Sequence, residues 1–358
     1  MSMQPVKADL RDVEVLESRI TAITPDGLFL RGVPLDELLA GASFEEVAFL
    51  LWYGRGPGPS ELQALRRALA RAWLLPARVL ELIGPLRGAE PLSRLQVALP
   101  LLALEGPAEE ENERRAARIL AQVPAVLALS RSGDAAPPLD LNRPLALQIV
   151  QALGARNIPA RDADMALILY ADHELAASTF AARVTAAALS SLYDGMSAAV
   201  AVLKGPLHGG SIVEAAHMLR DLAEAPDLDA AVAALLASRR RVPGFGHSVY
   251  RRRDPRAAHF LAMAERIAGD EDRRWLQAAE RLERAVYEQR GLSCNADLYA
   301  AIWMHAAGFD DTMMPGLFAT ARAAGWTAHM IEQQTFNRLI RPRARYTGNV
   351  GGHWPMPS

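Results

Sequence analysis

The spacing of apolar residues predicts a chain built mainly of α-helices. In the segment SFEEVAFLLWYG, Ser43 precedes an apolar stripe and Glu46 follows three residues later, which is the pattern of a capping box at a helix start. The segment SELQALRRALARAWLL repeats this pattern after Ser60. The segments ERRAARILAQVPAVLAL and RPLALQIVQALG have the same helical period.

Two further segments complete the prediction of the fold class. The segment DADMALILYADHELAASTFAARVTAAALSSLY is apolar on nearly every side, which predicts a helix buried in the core of a large protein. Strand signals are confined to ESRITAITPDGLFLRGVPL, where short strands should flank a turn at Pro25, Asp26 and Gly27. The segment RSGDAAPPLDLNRP predicts a surface connection. We therefore expect a mainly α fold with a minor N-terminal β-hairpin.

The amino-acid composition disfavours several classes of function. The 358 residues, of which 51% are apolar, allow one large or two moderate domains. A formal charge of -2 argues against nucleic acid or an anionic membrane as the main partner. The single cysteine, Cys294, fits a reducing compartment, and the first residues, MSMQPVKADLRDVEV, lack the apolar core of a signal peptide. We therefore expect a cytoplasmic protein with no nucleic-acid or membrane partner.

Metal and serine-hydrolase chemistry are disfavoured by the motifs. The segment HELAA at His173 has alanine at position 177, where a zinc-binding helix has its second histidine. The segment GMSAA at Gly195 lacks the closing glycine of a nucleophile elbow. We therefore expect no metal ligands.

The loop LKGPLHGG carries the first candidate residue, His208. Ser211 and Glu214 have the spacing of a capping box, so the following helix should begin near Ile212. The flanking glycines allow a ligand to approach the backbone closely. Because the positive end of a helix disfavours imidazolium, we expect a neutral imidazole that donates one N–H.

The loop PGFGHSVYRRRDPR carries the second candidate, His247. Asp254 should cap the next helix, with Pro255 as its first residue. The arginines at 251–253 and Arg256 surround that helix start, where backbone N–H groups and guanidinium forks suit phosphate or carboxylate. A solvated basic face would have the same composition, so both interpretations stay open.

The segment GLSCNADLYAAI carries the third candidate, Asp297, in the first turn of a helix that Ser293 or Asn295 can cap. The helix dipole alone would also favour an acid at this position. Taken with His208 and His247, however, the carboxylate completes a set of one base and two neutral hydrogen-bond donors. Such a set suits proton abstraction next to a carbonyl and stabilisation of the resulting enolate.

The motifs ADHELAASTFAARV, LKGPLHGG, PGFGHSVYRRRDPRA, CNADLYAAI and RPRARYTG, in this order, resemble those of the citrate synthase family. The resemblance is strong from about Ala171 to Gly348 and weaker before it. It implies a two-domain helical fold, with a large domain at 1–209 and 309–358 and a smaller inserted domain at 210–308. It also implies a homodimer with a shared active site that condenses acetyl-CoA with oxaloacetate and hydrolyses the citryl thioester. Acetyl-CoA would be a co-substrate, and no cofactor is expected.

The resemblance also implies roles for individual residues. By motif position, Asp297 resembles the base that takes a methyl proton from acetyl-CoA, His208 the group that hydrogen-bonds the thioester carbonyl, and His247 the group that polarises the ketone. The residues expected to meet oxaloacetate are His173, Arg256, Arg322 and, from the neighbouring subunit, Arg341. The residues expected to meet CoA are Arg251 and the loop residues Val242, Pro243, Gly244, Phe245 and Gly246.

Substrate identity stays open at this point. Position 296 is alanine where the family usually has valine, and position 248 is serine where a basic residue is common. A 2-methylcitrate synthase that uses propionyl-CoA is an alternative, since one methylene changes binding by only ~1–3 kcal/mol. A catalytically silent helical paralogue with a regulatory role is another, although the presence of His208, His247 and Asp297 counts against it.

Overall fold

A computed structural model describes residues 10, 13–25, 27–107, 109–247, 249–250 and 253–348. Within these ranges the chain forms sixteen α-helices and one small antiparallel sheet, so the predicted mainly α fold class is confirmed. No helix in the same part of the chain combines the length and apolar character needed to cross a bilayer.

The sheet lies near the start of the described residues. Its strands, in both chain and spatial order, are β1 (Thr21–Thr24), β2 (Gly27–Leu30) and β3 (Val33–Pro34). Thr24 pairs with Gly27, which closes the predicted hairpin, while Asp26 of the predicted turn lies outside the described residues. The third strand, which we did not predict, is only two residues long and leads directly into the first helix.

Seven helices follow the sheet. They are α1 (Leu35–Gly41), α2 (Phe44–Tyr53), α3 (Pro59–Ala72), α4 (Ala77–Ile83), α5 (Pro91–Leu104), α6 (Asn112–Ser132) and α7 (Leu145–Ala152), with a 3₁₀ turn at Gly84–Leu86. The capping box of Ser43 and Glu46 is present at the start of α2. The prediction that Ser60 caps a helix is wrong. The helix begins at Pro59, whose fixed φ suits the first position, and Glu61 accepts the N–H of Gly58 at 2.8 Å.

The remaining nine helices of the described residues include those that line the cavity presented below. They are α8 (Ala160–Ala171), α9 (Ala177–Ala187), α10 (Leu192–Leu203), α11 (Gly210–Glu224), α12 (Leu228–Ala237), α13 (Pro255–Ile267), α14 (Asp270–Arg290), α15 (Ala296–Ala306) and α16 (Met314–Thr335). The single buried helix predicted from DADM to SSLY is wrong, because the chain leaves the helix at 172–176 and again at 188–191. At the first break, Asp172 accepts the N–H of Glu174 at 3.1 Å, and Glu174 adopts a left-handed φ of 52°.

Helix α16 is buried along most of its length and packs against α2, α6, α8, α9 and α10. Its small residues let neighbouring backbones approach closely. A Cβ at Gly325 would lie 2.4 Å from the carbonyl oxygen of Ala171 and 2.2 Å from Oδ1 of Asp172. Helix α16 therefore fixes the end of α8, where the cavity begins.

The starts of α13 and α15 are joined through the loops that precede them. Phe245 and Cys294 form an isolated antiparallel bridge. The N–H of Gly246 donates to the carbonyl of Ser293 at 2.9 Å, and the N–H of Asn295 donates to the carbonyl of Gly244 at 2.9 Å. The two helices also pack against each other, and α11 packs against α15. Three helix N-termini consequently lie around one space.

Candidate active site

One cavity of about 600 Å³ brings together six of the seven residues predicted to be catalytic or to bind oxaloacetate. They are supplied by the loop after α8, by the starts of α11, α13 and α15, and by α16. The six residues are His173, His208, His247, Arg256, Asp297 and Arg322. The three loops recognised in the sequence therefore meet at a single site.

His208 is held in one tautomer by a buried serine. The indole N–H of Trp326 donates to Ser178 Oγ at 3.2 Å, and Ser178 Oγ lies 2.7 Å from His208 Nε2. Ser178 is fully buried, so its hydroxyl must donate its proton to a nearby acceptor. We assign Nε2 of His208 as that acceptor. Nδ1 of His208 then carries the ring proton. Burial, together with the charge of Arg322, lowers the pKa of His208 to about 4, so the imidazole is neutral.

The loop around His208 depends on a close backbone contact. A Cβ at Gly209 would lie 2.6 Å from the carbonyl oxygen of Leu203, which only glycine avoids. Helix α11 begins at Gly210 without a side-chain cap, so the predicted capping box of Ser211 and Glu214 is wrong. The reason is a competing partner, because the hydroxyl of Ser211 donates to Oδ2 of Asp297.

Asp297 lies in the first turn of α15, which Asn295 caps by accepting the N–H of Asp297 at 3.0 Å. The phenol of Tyr170 donates more weakly to Oδ1 of Asp297, at 3.4 Å. Burial raises the pKa of Asp297 above its ordinary value, although the Ser211 hydrogen bond and the charge of Arg256 oppose the shift. A carboxylate of this kind is a stronger base than an exposed one.

His247 is also neutral, and its tautomer is set by the backbone. The N–H groups of Val249 and Tyr250 both donate to Nδ1, at 3.0 and 3.3 Å. Since Nδ1 accepts, the ring proton is on Nε2. Burial and the neighbouring Arg256 lower the pKa of His247 to about 4.

His173 lies beside His247, with ring centroids 5.1 Å apart. Nε2 of His173 lies 3.1 Å from the hydroxyl of Tyr250, which also packs against His247. Burial, reinforced by the charge of Arg256, lowers the pKa of His173 well below its ordinary value. Two uncharged imidazoles therefore lie side by side in the cavity lining, and Tyr250 contacts both.

Arg256 is oriented by the residue that caps its helix. Asp254 accepts from Nε and Nη2 of Arg256 at 3.1 and 2.7 Å, and both side chains are almost completely buried. Burial alone would lower the pKa of Arg256, but the charge of Asp254 more than offsets it and the pKa is raised. Asp254 also accepts the N–H of Ala296 at 3.3 Å, which ties the helix start of Asp297 to that of Arg256.

Arg322 is a buried cation that faces the cavity without an acidic partner. Its Nε donates to the carbonyl of Tyr170 at 2.7 Å, and its guanidinium lies 4.6 Å from the ring centre of Phe318. Among the described residues, no carboxylate lies within salt-bridge distance of it. Burial lowers the pKa of Arg322 to about 10, with Asp172 opposing the shift, so it remains charged at neutral pH. Such a group suits an anionic ligand.

The structure does not bring every predicted residue to the cavity. Arg341 is exposed and borders a separate groove with Glu332 and Arg338. Of the loop expected to face CoA, Phe245 and Gly246 line the cavity, whereas the remaining three residues do not. Those three are Val242, Pro243 and Gly244. Arg251 lies outside the described residues.

Four residues that touch the site were not assigned to it from the sequence. Asp254 stands two positions before Arg256, and this spacing is a usable signal of an ion pair, although helix capping alone also explains an aspartate before Pro255. Ser178, Ser211 and Tyr170 gave no such signal. Each lies within a helix, and its role depends on which distant side chain it meets.

The arrangement can hold and activate a carbonyl compound that bears carboxylates. Asp297 can accept a proton, while Nδ1–H of His208 and Nε2–H of His247 can donate hydrogen bonds to oxygens that gain negative charge. Arg256 and Arg322 supply two buried positive charges for carboxylates. A base, two neutral donors and two cations therefore share one cavity.

Comparison with known proteins gives consistent matches over nearly the whole chain. The family model described as "Citrate synthase, C-terminal domain" matches residues 9–343. Citrate synthase 2 of Bacillus subtilis is 37% identical over 353 residues, which cover 95% of each chain. A 2-methylcitrate synthase of Shewanella oneidensis is 32% identical over 354 residues, which cover 95% of this chain and 94% of the other. Among solved structures, citrate synthase of Thermoplasma acidophilum, in ternary complex with carboxymethyl coenzyme A and oxaloacetate, has a TM-score of 0.89 and 29% identity over 98% of each chain.

Proposed function

The chain belongs to the citrate synthase family, whose members are enzymes that condense an acyl-CoA with oxaloacetate, and we propose that it uses acetyl-CoA to make citrate. The observation that carries the proposal is the cavity in which Asp297 faces two neutral imidazoles and two buried guanidinium groups. The ligands of the Thermoplasma acidophilum enzyme, a CoA derivative and oxaloacetate, have the chemistry for which this set of residues is suited.

Each side chain has a role in the proposed condensation. Asp297 takes a proton from the methyl group of acetyl-CoA, and the thioester oxygen gains charge as the enolate forms. Nδ1–H of His208 hydrogen-bonds that oxygen. The methyl carbon then forms a bond with the ketone carbon of oxaloacetate, whose oxygen is polarised by Nε2–H of His247. Water finally cleaves the citryl thioester, which releases citrate and the thiol of CoA.

Oxaloacetate binding follows from the charges at one end of the cavity. Arg256 and Arg322 would each bind a carboxylate, and a hydrogen bond to a charged group contributes about 1.5–3 kcal/mol. His173 lies beside His247, and the charges of Arg256 and Arg322 act on its imidazole, so it can donate to the same substrate. We also propose Arg251 and the loop from Val242 to Gly246 as contacts of CoA.

The second candidate is 2-methylcitrate synthase. It is favoured by the Shewanella oneidensis relative, which carries that name at 32% identity. Propionyl-CoA differs from acetyl-CoA by one methylene, so discrimination of only about 10- to 200-fold would be expected from the pocket. Acetyl-CoA remains our first assignment because the Bacillus subtilis citrate synthase is 37% identical.

The quaternary structure and the domain division belong to the same proposal. We propose a homodimer in which Arg341 completes the site of the neighbouring subunit, because Arg341 borders no part of its own cavity. Phe336 and Leu339, in the same C-terminal segment, expose large apolar surfaces that a partner would cover. We also propose the domain boundaries 1–209 with 309–358, and 210–308, and a cytoplasmic location.

Release of CoA thiol tests the function directly. The protein is assayed with oxaloacetate and either acetyl-CoA or propionyl-CoA, and kcat/KM is compared between the two. Higher kcat/KM with acetyl-CoA supports the first assignment, and the reverse supports the second. Absence of release with both would favour a silent paralogue. Asp297→Ala should lower the rate at least ~10²-fold, and a near-normal rate would remove Asp297 from its role.

A further inference from the structure

The antiparallel helices α8 and α13 each lead to one of the residues proposed to bind oxaloacetate. Helix α8 ends at Ala171 and leads into His173, whereas α13 starts at Pro255 with Arg256 next to it. Near the cavity the helices touch through Tyr170 and Phe260, whose ring centroids are 5.1 Å apart. The distance between His173 and Arg256 therefore depends on how these two helices are held relative to each other.

The far ends of the same helices are joined by an ion pair. Nη2 of Arg266, in the last turn of α13, donates to Oδ1 of Asp162 in the first turn of α8, at 2.6 Å. Asp162 is only 2% exposed, and its Oδ2 has no hydrogen-bond partner among the described residues. Its buried charge is therefore compensated by Arg266, whose side chain is about half exposed.

The surroundings connect this ion pair to the rest of the fold. Arg161, next to Asp162, donates to the carbonyls of Leu38 at 3.0 Å and of Leu39 at the end of α1. Nε2 of His259, two turns before Arg266 on α13, lies 2.9 Å from Oδ1 of Asp36 on the same short helix. Asp36 is exposed, so this second contact is the weaker one. Helix α1 thus contacts both helices.

We propose that Asp162 and Arg266 are positioning residues for oxaloacetate: their ion pair holds α13 against α8 and thereby sets the spacing of Arg256 and His173. The inference rests on the proposed function, because it assigns both of those residues to the same substrate. The ion pair lies about two to three helical turns from the cavity, roughly 10–15 Å along each helix, so it acts through the helices and touches no ligand.

The kinetic signature distinguishes positioning from general stabilisation. Arg266→Met should raise KM for oxaloacetate about 3- to 30-fold while kcat changes little, since long-range couplings are typically of this size. Arg266→Lys keeps the charge and should restore most of the affinity. Arg284→Met is the control, because Arg284 forms an exposed ion pair with Glu280, at 3.3 Å, that lies within α14 and joins no two helices.

The double variant Asp162→Leu/Arg266→Met provides the sharper test. Replacing both charges with apolar side chains removes the cost of a buried unpaired carboxylate, so the melting temperature should recover relative to Arg266→Met alone. If the pair positions the helices, KM for oxaloacetate stays raised in the double variant. If the pair only stabilises the fold, KM recovers together with the melting temperature, and the inference is overturned.

Hydrogen exchange tests the positioning role of the ion pair independently of the proposed enzyme activity. Loss of the ion pair should speed amide exchange at 172–174 and 254–257 in Arg266→Met and in the double variant, with exchange in α14 unchanged. This readout needs no turnover. Unchanged exchange in these segments would overturn the inference even in an active enzyme. Faster exchange in a protein that releases no CoA would support it while the proposed function fails.

Discussion

Ser178 Oγ lies 2.7 Å from His208 Nε2, and this contact assigns the ring proton of the imidazole to Nδ1. The serine comes from α9 and the histidine from the loop before α11, so the fold brings the pair together from 30 positions apart. The indole N–H of Trp326, on α16, donates a hydrogen bond to the serine oxygen at 3.2 Å. A buried chain of two hydrogen bonds thus leads from the core to the proposed polarising group.

We expect Ser178→Ala to lower kcat about 2- to 13-fold, because a net hydrogen bond of ~0.5–1.5 kcal/mol no longer orients His208. The free energy of unfolding should also fall by ~1–3 kcal/mol, since the indole N–H of Trp326 loses its acceptor. Ser197→Ala is the control, because Ser197 Oγ donates only to the carbonyl of Tyr193 within its own helix. Steady-state kinetics and denaturant unfolding check both values. A wild-type kcat in Ser178→Ala would contradict the tautomer assignment.

Ser211→Ala should shift the acidic limb of the kcat/KM profile to higher pH. The Ser211 hydrogen bond lowers the pKa of Asp297, so its removal raises that pKa further. A base with a raised pKa becomes protonated at a higher pH, and activity is then lost earlier as pH falls. Because the pKa values of His208 and His247 are lowered to about 4, both imidazoles are uncharged at neutral pH.

Tyr170→Phe serves as the graded comparison for this prediction. Its hydrogen bond to Asp297 is longer, at 3.4 Å, and also lowers the pKa of that carboxyl, so the upward shift should be smaller than in Ser211→Ala. The profiles are measured at saturating and limiting acyl-CoA. A downward shift in Ser211→Ala would rule out Asp297 as the group that sets the acidic limb.

Much of the fold, and the three loops that carry His208, His247 and Asp297, can be predicted from local sequence patterns. Apolar periodicity locates most helices because a helix that packs on one side must repeat its apolar residues at that period. The loops of His208, His247 and Asp297 were recognisable because glycine, proline and capping residues mark a helix start within a few positions. These signals are local, so a single amino-acid sequence is enough to recognise them.

Two of the errors involve contacts between distant segments. Ser211 has the spacing of a capping box, but its hydroxyl donates to Asp297, 86 positions away, and the helix starts without it. The apolar segment around His173 looked like one helix, yet Asp172 accepts a hydrogen bond from Thr21 and another from Glu174, which stabilise a loop. Such partners cannot be inferred from periodicity.

Asp254→Asn should lower the free energy of unfolding by about 3–5 kcal/mol, because it leaves the buried Arg256 without its counter-charge. KM for oxaloacetate should rise as well, since Asp254 fixes Nε and Nη2 of that guanidinium. Asp229→Asn is the matched control. Asp229 pairs with Arg281 on the surface, where an ion pair contributes only ~0.2–1 kcal/mol. Equal losses of stability in the two variants would argue against the buried pair as an essential contact.

Gly325→Ala should disturb the loop of His173 from the opposite side. The added Cβ would lie 2.2 Å from Oδ1 of Asp172, so the loop or α16 must move. Overpacking of this kind costs ~1–3 kcal/mol of stability, and we expect KM for oxaloacetate to rise more than KM for acyl-CoA. Gly41→Ala, where nothing lies within 4 Å of the new methyl group, should leave both KM values unchanged. A selective rise of KM for acyl-CoA in Gly325→Ala would contradict the placement of oxaloacetate.

Mixing inactive subunits tests whether Arg341 acts in the neighbouring site. An Arg341→Ala subunit keeps its own Asp297, and an Asp297→Ala subunit keeps its Arg341, so each heterodimer would contain one complete site. Random reassociation of equal amounts makes half of the dimers mixed, and about a quarter of wild-type activity should return. Each variant alone should stay nearly inactive after the same unfolding and refolding. If the mixture is no more active than the separate variants, Arg341 does not complete the partner's site, and its exposure beside a second groove needs another explanation.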